Sequence, residues 1–184
     1  MSERWREAGV PILVFVVGLG AIGGAWFSQL VMGFQPCHLC LEQRNVYYVG
    51  LPIVALAIAA AFYGLPSRWV RLIMAVSGVA WAIGVYLAVN HAGIEWNWWP
   101  GPNDCVPTAS GVKTTQDLLN QLNGIRIVPC DRAVWRFLGL SFAGWNAVVS
   151  VILTAGAAYA AAGGFSSEPI TIVRKTPSRV SPQS

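Results

Sequence analysis

The residues of this chain that could carry chemistry are four cysteines, two histidines and one arginine set close to a cysteine pair. Cys37 and Cys40 form a Cys-x-x-Cys with His38 between them, and Arg44 follows Cys40 by one helical turn. Cys105 and Cys130 stand apart from each other, and His91 lies between the two groups. Close cysteine pairs exchange disulfides or bind metal, and in both cases the thiolate is the active form. Two pairs is the natural arithmetic for four cysteines. A bridge across Cys105 and Cys130 would constrain about 26 residues, worth about 3.5 kcal/mol by loop-closure entropy, whereas the Cys37–Cys40 ring would contribute about 2 kcal/mol before strain. The short bridge is a poor staple, better suited to opening and closing.

Its surroundings point the same way. Pro36 suits the start of a helix, where a missing N–H costs nothing, so both sulfurs are expected at a positive helix end that favours thiolate. Arg44 shares a helical face with Cys40 and is expected to stabilise its thiolate, or an anionic acceptor beside it. A structural zinc site wants four ligands, commonly as two close pairs; with Cys105 and Cys130 so far apart, the metal reading is the weaker one. His38 is expected to tune the neighbouring sulfurs or simply to be solvated.

The elements that must position these residues follow from the distribution of charge. Of 184 residues, 55% are hydrophobic and 11% charged, against roughly 25% charged in a soluble domain. That excludes a disordered chain. The basic residues form no stripe, so no nucleic-acid partner is expected. Asp, Glu, Lys and Arg are absent from 8–41, 45–67, 72–94 and 137–167. A span of the hydrocarbon takes about 20 helical residues, and each stretch holds such a core, at about 10–31, 46–62, 72–89 and 143–162. The fold class is therefore an all-α integral membrane protein, a four-helix transmembrane bundle forming one domain over 1–165. The connections fall at about 33–44 and 91–141, and a cytoplasmic tail at 166–184 is expected to be disordered. The first segment reads as a membrane helix, because its apolar run exceeds that of a signal peptide.

Arg4, Arg6, Arg68, Arg71, Arg174, Lys175 and Arg179 share one side with Glu3, Glu7 and Glu168, while the other side carries equal numbers of basic and acidic residues. The positive-inside rule then puts both termini in the cytoplasm and all four cysteines outside, where an oxidising periplasm lets disulfides persist. Trp26, Trp96, Trp98, Trp99, Trp135 and Trp145 are read as an aromatic belt at the outer interface. Thr114, Asp117, Leu118, Leu119 and Leu122 suggest a short amphipathic helix on the membrane surface over 114–123.

The combination resembles the bacterial DsbB family. The resemblance lies in FQPCHLCLEQR at 34–44, EWNWWPGPNDC at 95–105 and PCDRAVWRFLGLSFAGWN at 129–146, and it extends over roughly 10–160. It implies an oxidoreductase of the bacterial inner membrane that reoxidises a periplasmic thioredoxin-like, DsbA-type protein and passes the electrons to a membrane quinone, ubiquinone or menaquinone. By the resemblance, Cys105 takes the attack of the partner's thiolate and Cys130 completes that pair. Their dithiol then reduces Cys37–Cys40, with Cys40 beside the quinone and Arg44 and His91 as quinone-binding residues; no metal is implied. A DsbA-type couple near about −120 mV can be oxidised only by an acceptor of higher potential, and a lipid-soluble quinone would meet the protein at the membrane interface. The other readings are a VKOR-like enzyme, whose Cys-x-x-Cys lies late in the chain, and a non-enzymatic membrane protein with structural disulfides or a metal-binding transporter subunit. The transporter reading is weakened because none of the expected spans contains a charged residue.

Overall fold

The computed structural model describes residues 2–101, 126–127, 133 and 135–164. Cys105, Cys130, the expected 114–123 helix and the 166–184 tail lie outside the described residues. Four helices carry the fold: α1 (Ser2–Leu30), α2 (His38–Phe62), α3 (Ser67–Glu95) and α4 (Phe142–Ala161). All four are long and apolar enough to cross a membrane.

The helices run past the uncharged cores that mark them in the sequence. α2 begins at His38 rather than near 46, and α3 continues to Glu95 rather than ending near 89. Charge marks where hydrocarbon ends, but the backbone goes on hydrogen-bonding until a cap stops it. Cys40 and Arg44 lie on α2, as their shared helical face requires, and His91 and Glu95 lie on the last turns of α3. The expectation of spans without charge holds for the cores alone.

Neighbours in sequence are neighbours in space. α1 packs on α2 and α4, and α3 packs on α2 and α4, while α1 and α3 scarcely meet. Lipid tails are as apolar as leucine, so close packing rather than water exclusion must hold such helices together. Small residues supply it: Ala57, Ala60, Ala61, Ala88, Ala143, Ala157 and Ala160 are all buried. Trp81 is wholly buried, edge-on to Tyr47 with ring centroids 5.3 Å apart. It lies so close to α2 that a Cβ on Gly50 would come within 2.7 Å of its ring. Leu13, Val16, Leu56, Val79 and Ile83 are exposed, as faces turned to lipid require.

Short pairings trim one end. β1 (Phe34–Gln35) pairs in parallel with β2 (Arg126–Ile127), which brings the backbone of the α3–α4 connection beside the residues leading into Cys37. β3 (Arg136–Phe137) and β4 (Leu140–Ser141) form an antiparallel hairpin. Its turn residues Leu138 and Gly139 both take positive φ, 51° and 84°, the combination that matches strand twist in a two-residue turn. Ser141 then caps α4, its Oγ accepting the Gly144 N–H at 3.1 Å. At the opposite end Ser67 Oγ donates to Glu7 and Arg4 to the Phe62 carbonyl, joining α1 to the α2–α3 turn.

Candidate redox site

Cys37 is the N-cap of α2, and its Sγ accepts the Cys40 N–H at 3.3 Å. The first turn of the helix turns Cys40 back over Cys37, and the two sulfurs lie 2.8 Å apart. A disulfide holds its sulfurs at about 2.05 Å, so a small side-chain movement interconverts the two states. The Cys37 and Cys40 sulfurs and a His91 ring nitrogen all fall within 4.8 Å of one another.

The helix end does not make both sulfurs acidic. Cys37 lies just before the membrane-crossing segment, and its thiol is pushed up to about 12, first by its hydrogen bond with Cys40 and then by burial, with His91 pulling in the opposite direction. The expectation that the helix end favours thiolate therefore does not hold at Cys37, where the hydrogen bond with Cys40 and burial favour the protonated form.

Arg44 is buried, 9% exposed. It donates to Gln29 Oε1 and, at 3.0 Å, to the Ala25 carbonyl, and its guanidinium lies 5.6 Å from the centroid of the Trp26 ring. These contacts clamp α2 to α1 and hold a fixed cation on the cavity wall. His91, 4% exposed, comes from α3. Its Nδ1 meets Gln43 Nε2 at 2.8 Å, and its Nε2 lies 3.9 Å from Cys37 Sγ and 4.0 Å from Glu95 Oε1. Gln43 in turn accepts from Asn146 Nδ2, and Asn146 accepts from the Tyr47 hydroxyl. His38 points away, 3.7 Å from Glu42 on an exposed face, which is the solvated reading.

These groups surround a cavity of about 310 Å³ between α1, α2 and α4. Cys40, Arg44, His91 and Glu95 supply its polar wall; Phe34, Trp135, Phe142, Trp145 and Val149 supply much of the apolar one. Trp135 stacks on Phe137 with centroids 5.6 Å apart and lies 5.3 Å from Phe142. Trp135 and Trp145, read from the sequence as belt residues, also line the cavity. Trp96, Trp98 and Trp99 stay outside it, packed edge-on in a row. Of the six expected site residues, the fold brings together Cys37, Cys40, Arg44 and His91, while Cys105 and Cys130 lie outside the described residues. Sequence reasoning missed Gln29, Gln43, Glu95 and Asn146. Their signal was polarity inside apolar helices, where each polar side chain must find a partner.

A family model described as "Disulfide bond formation protein DsbB" matches residues 7–160. The chain belongs to the DsbB family. It is 31% identical over 152 residues to Disulfide bond formation protein B of Cupriavidus necator, covering 78% of this chain and 85% of that protein. It is 33% identical over 161 residues to the same-named protein of Marinobacter nauticus, covering 83% and 88%. It is 34% identical over 163 residues to Disulfide bond formation protein B 1 of Pseudomonas entomophila, covering 83% and 89%. No solved structure matches the chain. The chain is therefore a multi-pass membrane protein of disulfide bond formation, and the family is one of disulfide oxidoreductases.

Proposed function

We propose that this DsbB-family protein, in the bacterial inner membrane with its cysteines on the periplasmic side, reoxidises a thioredoxin-like, DsbA-type dithiol protein and delivers the electrons to a membrane quinone. The observation that carries the reading is the Cys37–Cys40 dithiol, sulfurs 2.8 Å apart, at a cavity whose wall includes Cys40. The cavity fits a quinone head: it is largely apolar, aromatic on one side, and presents a buried cation, an imidazole and a carboxyl group. Arg44 and His91 are the groups that would hold the ring oxygens, and Phe142, Trp145 and Val149 would face its carbon skeleton. A bound quinone supplies a sink for two electrons and two protons.

The chain's own residues do the rest. The partner's thiolate attacks Cys105, forming a mixed disulfide and releasing Cys130; the partner's second thiol resolves it, leaving Cys105 and Cys130 reduced. That dithiol then reduces Cys37–Cys40. The pairing of Phe34–Gln35 with Arg126–Ile127 supports such a relay, since it ties chain just before Cys130 to chain just before Cys37. Within the reduced pair Cys37 keeps its proton, so the thiolate character falls to Cys40, on the cavity wall beside the fixed cation of Arg44. Cys37 closes on Cys40 as the electrons leave.

The test is turnover by purified protein with ubiquinone and a reduced DsbA-type partner, followed by quinone absorbance. Wild type consumes the quinone, whereas Cys40→Ser, inserted and folded, does not; full turnover by Cys40→Ser overturns the reading.

A further inference from the structure

One ionisable group on the cavity wall has no part in the reaction so far. Glu95 closes α3 and is 9% exposed. Its Oε1 lies 4.0 Å from His91 Nε2, while its Oε2 is buried and has no hydrogen-bond partner among the described residues. Leaving a buried oxygen unpaired costs on the order of 1–3 kcal/mol, more for a charge. Ionisable groups held in this way inside membrane proteins mark proton and substrate paths.

The neighbours narrow what Glu95 can do. Gln43 accepts from Asn146 and so presents its N–H₂ to His91 Nδ1, which leaves the imidazole hydrogen on Nε2. His91 therefore faces Cys37 and Glu95 as a donor, with no lone pair free to take a proton from either. The Tyr47 hydroxyl hydrogen is committed to Asn146, and Arg44 keeps its charge. Among the described residues of the cavity wall, Glu95 is the remaining group, beyond the cysteines, able to take up and give back a proton.

Closing the Cys37–Cys40 bond releases two electrons and two protons, and converting a quinone to its quinol consumes two of each. We propose that Glu95 carries one of these protons, gaining a proton as the disulfide closes and giving it to a quinone oxygen. The second proton enters from the aqueous medium, into which Cys40 released its own on forming the thiolate, so the two protons lost by the dithiol equal the two gained by the quinol. His91 is the positioning residue beside Glu95, its Nε2 4.0 Å from Oε1. This assignment rests on the quinone reading above.

Glu95→Gln keeps the size and the hydrogen-bonding capacity and removes the proton. With reduced partner and ubiquinone, its kcat is expected to fall about a hundredfold, in the range of a lost general acid, with KM for quinone within about twofold of wild type. Glu95→Asp recovers part of the rate. Independently of turnover, infrared difference spectra between the dithiol and disulfide forms of the wild type should contain a carboxyl C=O band that Glu95→Gln lacks. A Glu95→Gln protein with wild-type kcat, or a wild-type difference spectrum without that band, overturns the proposal. Failure of the wild type itself to reduce quinone would instead overturn the functional reading.

Discussion

At the N-terminus of α2, two sulfurs share one set of neighbours, and this makes them unequal. Cys37, buried and hydrogen-bonded to Cys40, has its thiol raised from 9.0 to about 12. Its alkylation rate in the reduced protein should therefore climb about tenfold per pH unit from 8 to 11 without levelling, since only thiolate reacts. Cys40→Ser removes the largest cause of the shift and should bring the plateau to lower pH; a plateau near 9 in the wild type would contradict the assignment. The shift also bears on stability. Between 9.0 and about 12 the unfolded chain has released this proton and the folded chain has not, so the reduced protein loses stability as pH rises through that window. The cysteine motif and its neighbouring arginine were legible in sequence because their chemistry is written in residue type and spacing. The inequality of the sulfurs was not, because it depends on the burial of Cys37 and on Cys40 turning back onto it.

Among the elements, the helices were legible as charge-free runs and their ends were not. Hydropathy locates hydrocarbon, whereas Cys37 and Ser141 end helices through side-chain caps that an apolar count passes over. That difference put Glu95 on α3 rather than in the expected loop, beside His91 on the polar wall of the cavity. Packing sets the spacing of those helices. Gly50 lets α2 approach Trp81, and an added Cβ would meet that ring at 2.7 Å and 2.8 Å. Gly50→Ala should therefore destabilise by about 1–3 kcal/mol as an overpacked core does, visible as a lowered Tm in detergent. Gly23 has nothing within 4 Å of the added carbon, so Gly23→Ala should leave Tm unchanged or raise it, as a better helix former. Equal losses from both substitutions would show that the close approach at Trp81 does not limit stability.

For the whole molecule, the arrangement of four helices puts the Cys37–Cys40 pair at one end of the bundle, against the cavity. The low charge that reveals a membrane protein also sharpens the few polar residues left inside it: Gln29, Gln43, Asn146 and Glu95 are read from the helices that bring them together, not from spacing in the chain. The central claim is that Cys37 and Cys40 are the couple that faces the quinone. It is tested most directly by a single turnover in a Cys105→Ala, Cys130→Ala protein, whose remaining cysteines are this pair. Reduced and mixed with excess ubiquinone, it should lose both thiols to alkylating reagent while one quinone per protein loses its absorbance. Thiols that stay alkylatable while the quinone stays oxidised would contradict the claim.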